Sequence, residues 1–371
     1  MPSNIVVWLM TTLSFAMPFI FGQPARAPEA SPSSYTYELA ADKYGVWPTK
    51  EFETAKPPWW LQTWALRPLN SAESLLKPIS GDGAKNESII ALHKGKIVYE
   101  WYNDGWDKDK QHFIASCTKS VVSALVGVAV ADGFIKSVDD KVVDYFPGAK
   151  IAIDAEQKKD ITIRQLLTMT SGLAGDMEWG WEAWFAANPG EKGREELNRR
   201  FDKDSAKTML ECLSMTTKPG EQWNYSSNGS HLLLGIVAKA IGQPIETYVD
   251  KKLFGPMGIT NYEWHKYGDL YSGGGGLDMT PRDMAKFGYL YLNNGRWENK
   301  QLVPAAWAAH SAPASKSPFG YGYQFWNIPY APFGDAYGAN GAAGQRIYVY
   351  PSQDLVIVRT GNVFFSYTIS F

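Results

Sequence analysis

Ser116 and Lys119 stand three residues apart near the head of an apolar stretch, FIASCTKSVVSALVGVAVADG, that covers residues 113–133. A serine hydroxyl is a poor nucleophile until a neighbour takes its proton. On a helix, positions i and i+3 share a face, so a lysine at 119 can reach the hydroxyl at 116. Lysine works as a base only where its pKa is depressed, which burial or a nearby cation achieves. The start of the helix also places unpaired backbone N–H groups near Ser116, where an oxyanion would need them. The chemistry such a pair supports is nucleophilic acyl transfer.

The pattern alone is weak, since about one Ser-x-x-Lys is expected by chance in a chain of this length. A second occurs at Ser74 and Lys77, but Pro78 follows at once and no apolar run comes after it, so that pair reads as surface structure. Other nucleophile systems are missing: there is no Gly-x-Ser-x-Gly elbow, no His-Glu-x-x-His and no phosphate loop. The five histidines form no spaced cluster, and Cys117 and Cys212 have no metal-like spacing. No metal and no cofactor are expected. Cys117, inside the apolar stretch, reads as a buried free thiol.

The elements that must hold this chemistry follow from periodicity and caps. SIIALHKGKIVYEWY is two β-rich runs split by Lys94-Gly95-Lys96, a hairpin signal. Residues 113–133 read as a helix closed by Gly133. Thr162 caps a short helix running to Leu167. Residues 174–204, polar and Trp-rich, read as a long loop, and Trp179, Trp181 and Trp184 on it are candidate cleft walls together with the 273–276 glycine loop. KPGEQWNYSSNGSHLLLGIVAKAIG turns at Pro219-Gly220 and becomes a helix ending at Gly242. Thr280, Pro281 and Asp283 mark the start of another helix. Strand-like runs close the chain. Strands at both ends with helices between them predict one sheet built from both termini, with a helical region inserted.

With 371 residues, the chain is large enough for one big domain or two smaller ones. Its 45% hydrophobic and 20% charged residues are those of a globular protein, and a net charge of −2 gives no electrostatic case for nucleic acid or an anionic membrane. Residues 5–21 are apolar and PARA ends in Ala25-x-Ala27, which reads as a cleavable signal peptide over 1–27. Export to a periplasm or outside the cell follows, with an uncleaved anchor as the alternative. Residues 28–86 read as an extension draped over the body, and 87–371 as the main domain, with its helical insert at about 112–270.

Together these motifs resemble the serine β-lactamase-like superfamily with Ser-x-x-Lys nucleophiles. The likeness is to the branch that holds class C β-lactamases, D-Ala-D-Ala carboxypeptidases, related esterases and 6-aminohexanoate-dimer hydrolases. It covers about residues 87–362 and rests on Ser116-Cys117-Thr118-Lys119, on Tyr225-Ser226-Ser227 before a helix, and on YGANGAAGQRIYVYP, which puts Gly341 at the glycine of a Lys/His-Thr-Gly strand. The resemblance implies an α+β fold of the β-lactamase/transpeptidase type. It implies Ser116 as the acylated nucleophile, with Lys119 and Tyr225 sharing the proton transfers and Lys119 depressing the tyrosine pKa. It implies an oxyanion hole from the backbone N–H groups of Ser116 and Ala342. Ser227, Asn340, Gly341 and Trp181 are the expected substrate contacts.

Ala339 occupies the Lys/His position of the third motif. That loss argues against a β-lactamase or a peptidoglycan carboxypeptidase and favours hydrolysis of an ester or a small linear amide. The penicillin-interactive enzymes remain the alternative within the enzyme class, and a non-turnover binding or sensor domain the alternative outside it. The expected partner is a small-molecule substrate, with no stable membrane association after leader cleavage.

Overall fold

The computed structural model describes residues 45–64, 86–178, 180–311, 320–328 and 335–362. The leader at 1–27, the Ser74/Lys77 pair and Trp179 lie outside them.

Strands β1 (Asn86–His93) and β2 (Lys96–Tyr102) form the expected hairpin. Lys94 and Gly95 both take positive φ, 52° and 78°, the pair of left-handed residues that a tight two-residue hairpin turn requires. β1 then pairs along its whole length with the last described strand, Leu355–Gly361, with Ile90 opposite Val358 and Leu92 opposite Val356. The first and last strands of the described main domain therefore pair side by side in one sheet, as the strand pattern predicts.

Between them lies the insert, mostly helical as expected, with a small sheet of its own. β3 (His112–Phe113), β4 (Tyr262–Trp264) and β5 (Leu277–Met279) make a small three-stranded sheet that closes it. These runs are too short for periodicity to reveal. The apolar stretch also starts differently. A 3-10 turn, Ala115–Cys117, precedes helix α1 (Thr118–Ala131), so Ser116 sits on the turn ahead of the α-helix. Thr118 through Ala129 are all buried in α1. Each large apolar side chain there contributes about 1.5–3 kcal/mol of burial. Gly133, at φ 78°, donates to Val130 and Phe134 donates to Ala129, which ends the helix where the glycine predicts.

Helix α2 (Ile163–Leu167) has the expected cap: Thr162 accepts from the Gln165 N–H, and the Gln165 side chain accepts from the Thr162 N–H. Residues 174–204 are not the long loop that their polarity suggests. They carry helices α3 (Glu182–Ala187) and the first part of α4 (Gly190–Cys212). Trp184, Leu197, Phe201, Met209 and Cys212 bury a separate small core there, with Trp181 packed against it. Helix α5 (Ser227–Ile241) packs on α1 and α4 and ends at Gly242 with φ 60°. Helix α6 (Pro281–Leu292) starts at the Thr280 cap.

The closing strands are β6 (Trp326–Asn327), β7 (Tyr337–Asn340), β8 (Arg346–Tyr350) and β9 (Leu355–Gly361), and the sheet runs β6-β7-β8-β9-β1-β2. One face is covered by α6, where Gly288 lets Ile347 and Val356 approach so closely that a Cβ would meet them at 2.9 and 2.5 Å. The other face carries Tyr348, Tyr350, Ile357 and Ala91, against Trp60 and Leu61. Cys117 and Cys212 are both buried free thiols.

Candidate active site

The nucleophile turn is built by local strain and long-range latches. Ala115 takes φ 48°, a left-handed conformation that costs a non-glycine residue about 1–3 kcal/mol. The turn is held because Thr118 Oγ1 donates to the Ala115 carbonyl at 2.7 Å and accepts from the N–H groups of Gly276 and Leu277 at 3.3 and 3.2 Å. One threonine thus ties the turn to the 273–276 glycine loop.

Lys119 lies on the first turn of α1, 1% exposed, and its Nζ is 2.9 Å from Ser116 Oγ. The same Nζ donates to the Gly274 carbonyl and stands 4.8 Å from the centre of the Tyr225 ring. The Ser116 side chain is near enough to the Tyr225 phenol to lower its pKa. Tyr225, more than a hundred residues along the chain, is therefore brought beside the Ser116–Lys119 pair.

Their pKa values are shifted in opposite directions. Burial pushes the Lys119 ammonium down to about 8, opposed in part by the negative charge of Asp176. Burial and the same aspartate raise the Tyr225 phenol well above its ordinary value, with the Ser116 hydrogen bond opposing them. The depressed tyrosine pKa expected from the resemblance is thus reversed. Lys119 can shed its proton near neutral pH, whereas Tyr225 keeps its own and can give it up only to a stronger base.

The third motif closes the site from the sheet. Gly341 follows β7, and a Cβ there would meet the Ile114 carbonyl at 2.5 Å and the Ala115 Cβ at 3.2 Å. Only glycine permits the end of the sheet to dock on the nucleophile turn. Ser116 and Ala342 each stand in a 3-10 turn flanking this contact, the two positions from which the resemblance expects N–H groups for an oxyanion.

The remaining expected contacts divide. Asn340 is half-buried, and its Oδ1 has no hydrogen-bond partner. Ala339, on the opposite face, is a core methyl paired with Ile347. Ser227 is not a free donor: its Oγ and N–H both go to Asp176, at 2.6 Å each. Trp181 packs against Phe201, ring centroids 5.5 Å apart, between the helices of the insert. Packing is the role the structure gives it.

Sequence reasoning missed three parts. Asp176 donates its N–H to the Tyr225 carbonyl at 2.8 Å, grips Ser227, and sets the field at Lys119 and Tyr225. A lone aspartate in a polar stretch has no spacing signal. The Gly274 carbonyl is a backbone group and equally silent. Trp223, Tyr321 and Trp326 surround the Tyr225 ring at 6.2, 6.3 and 5.6 Å between centroids. Their only signal was proximity to motif stretches.

The fold also gathers what spacing did not: His265 lies 3.1 Å from Asp278 and 3.8 Å from Glu263. The three offer ligand atoms within 4.8 Å of one another, as an exposed ion-paired group at the foot of the glycine loop. The chemistry at Ser116 takes no step through them.

The Beta-lactamase family model matches residues 81–367. The 6-aminohexanoate-dimer hydrolase of Paenarthrobacter ureafaciens is 23% identical over 290 residues, which are 74% of this chain and 71% of that one. Penicillin-binding protein 4* of Bacillus subtilis is 26% identical over 183 residues, 47% of this chain, and the match spans 37% of that protein's length. Among solved structures, a penicillin-binding protein homologue from Caulobacter crescentus superposes with a TM-score of 0.61 at 16% identity, covering 83% of this chain and 93% of that one, a likeness of fold.

Proposed function

This chain belongs to the beta-lactamase family, and from that premise we propose that it is a serine hydrolase cleaving an ester or a small linear amide through an acyl-enzyme on Ser116. The observation that carries the reading is the buried Lys119 ammonium, lowered to about 8 and 2.9 Å from Ser116 Oγ.

In its neutral form Lys119 takes the Ser116 proton as Oγ attacks the substrate carbonyl. The developing oxyanion is received by the N–H groups of Ser116 and Ala342. Tyr225, held neutral by burial and Asp176, passes its proton to the departing alkoxide or amine and regains one from Lys119. Water then attacks the acyl-enzyme, with Lys119 again the base and Ser116 the leaving group. The substrate preference rests on Ala339, a methyl where a cation would hold a peptide carboxylate, and on the aromatic wall of Trp223, Tyr321 and Trp326.

Treating the purified protein with a fluorophosphonate and mapping the adduct by mass spectrometry tests the nucleophile. The modification is expected on Ser116, and nitrophenyl ester hydrolysis is expected to vanish in Ser116→Ala. An adduct elsewhere, or full activity in that variant, sinks the proposal. Turnover of a chromogenic cephalosporin at rates above the ester would favour the penicillin-interactive alternative instead. We also propose export, on the apolar run and Ala25-x-Ala27 of the leader. N-terminal sequencing of the mature protein should begin just after residue 27, and an intact Met1 would refute cleavage.

A further inference from the structure

Helix α4 breaks and restarts along its length. Asp204 leaves helical geometry at φ −163° and ψ 86°, and its Oδ1 accepts from the Lys207 N–H, three residues on, as an N-cap does. The break frees the N–H of Ser205, which donates at 2.8 Å to Asp269 Oδ1, on the turn between the paired runs Lys266–Tyr267 and Leu270–Tyr271. The Ser205 hydroxyl reaches the same oxygen at 2.8 Å and lies 2.9 Å from His231 Nε2, on α5. The other ring nitrogen of His231, Nδ1, is 3.2 Å from the backbone nitrogen of Gly273, the first residue of the glycine loop. Ser205 and His231 are both buried, and Tyr267 packs edge-on against the imidazole, ring centroids 5.3 Å apart.

These contacts leave one arrangement of protons. A backbone N–H can only donate, so Nδ1 is the accepting nitrogen, and a neutral ring then carries its proton on Nε2. Nε2–H donates to Ser205 Oγ, and the Ser205 hydroxyl donates to the Asp269 carboxylate. Burial holds the imidazolium down at about 4, against the opposing charges of Asp269 and Asp204, so the ring is neutral at physiological pH. The relay therefore runs in one direction, from the glycine loop through the imidazole and the serine to the carboxylate.

The loop end of the relay leads to the base. A Cβ on Gly273 would meet the Ser230 carbonyl at 2.5 Å and His231 Cα at 2.8 Å, so the loop lies directly on α5 beside the imidazole. The next residue, Gly274, supplies the carbonyl that accepts from Lys119 Nζ, and that Nζ is 2.9 Å from Ser116 Oγ. We infer that His231, held by Ser205 and Asp269, is a positioning residue: by fixing the Gly273 N–H it sets the Gly274 carbonyl that aims Lys119 at Ser116. It acts through the loop and touches none of the reacting atoms. The inference rests on the hydrolase reading for its effect on rate, though not for the relay itself.

Two substitutions separate the two ends of the ring. Asparagine puts its amide oxygen near the place of Nδ1 and still accepts from Gly273, whereas glutamine puts its amide near the place of Nε2 and keeps only the Ser205 contact. Each gives up part of the relay and some packing, so both should lower the melting temperature. On a nitrophenyl ester His231→Gln is expected to lower kcat by about tenfold to a hundredfold with KM within about twofold, the effect of a base displaced by about 1 Å. His231→Asn is expected to stay within about threefold of the wild-type kcat. Equal losses in the two variants, losses carried by KM, or losses that follow the melting temperatures overturn the inference. Asp269 is exposed, so Asp269→Ala keeps the test open should the buried variants fail to fold: kcat should fall by about threefold with KM unchanged, and an unaltered kcat overturns the inference. A further measurement is independent of turnover. Nitrogen-15 NMR of the histidine-labelled wild-type protein, with His231 assigned through its contacts to Gly273, should show a neutral ring protonated at Nε2 at pH 7. A proton on Nδ1, or a cationic ring, removes the relay. If no ester is cleaved and Ser116 takes no fluorophosphonate, the hydrolase reading falls and the tautomer decides the relay alone. Ester cleavage that His231→Gln and His231→Asn reduce equally leaves the hydrolase and removes the positioning role.

Discussion

Lys119 and Lys158 are the same residue under the same pressure, with different outcomes. Both are buried in the helical insert, at 1% and 0% exposure, and burial pushes both ammonium groups down to about 8. Lys119 meets a serine hydroxyl, a backbone carbonyl and a tyrosine ring. Among the described residues the Lys158 Nζ has no hydrogen-bond partner, and the fields of Asp154 and Glu211 support its charge. A depressed lysine is therefore not in itself a catalytic signature. Desolvation supplies the neutral amine near physiological pH, and a hydroxyl within reach supplies the use for it.

The comparison can be broken experimentally. The largest effect is expected from Lys119→Met, which should lower kcat/KM on a nitrophenyl ester by about 10³–10⁴. Lys158→Met should leave it within about twofold. Comparable losses in both variants would show that the contrast is one of stability.

Tyr225→Phe should follow, with a loss of about 10²–10³, larger for an anilide than for a nitrophenyl ester, because the poorer leaving group needs the proton more. An equal loss on both would take Tyr225 out of the acid role.

The pH profile sharpens the assignment. In the proposed mechanism neutral Lys119 is the base, so kcat/KM should climb about tenfold per pH unit below its pKa and level off near pH 8. Asp176 raises the lysine pKa, so Asp176→Asn should move that limb to lower pH. Lys158→Met should not move it. A limb that ignores Asp176→Asn would contradict the field described here.

The smallest effect concerns stability. The folded pKa of Lys158 lies below its ordinary 10.5, so between about pH 8 and 10.5 the unfolded chain binds the extra proton. Stability contributed through this group therefore rises with pH across that window and is lowest below it. Lys158→Met removes a buried ammonium without a partner and should raise the melting temperature by a few degrees at pH 7, with the gain shrinking as pH rises toward 10. A fall in melting temperature at pH 7 would mean that the ammonium is better paired than its surroundings indicate.

The two lysines also mark where sequence reasoning stops. Lys119 was legible because Ser116 and the apolar helix are its neighbours along the chain, whereas Lys158, in AEQKKD, has no pattern that announces burial. The Lys94-Gly95 turn, the Thr162 and Thr280 caps and the Gly133 and Gly242 helix ends were legible for the same reason: each is a local choice of backbone conformation. Residues 174–204 misled because their polarity belongs to helices that bury only a narrow stripe, through Trp184, Leu197 and Phe201. Trp181 and Ser227 misled because a side chain's partner, Phe201 or Asp176, lies outside any local window.

From the sequence come the Ser116–Lys119 pair and the caps and turns, whose spacing dictates local geometry, and, through the resemblance, Tyr225 and Gly341 as expected site residues. Only the tertiary structure decided the charge states and the company these groups keep. The Gly274 carbonyl reaches Lys119 across 155 positions. Burial and Asp176 push the tyrosine pKa upward, and Arg346 and Arg359 face each other on paired strands. Burial and through-space charge set these properties, and neither is a function of distance along the chain.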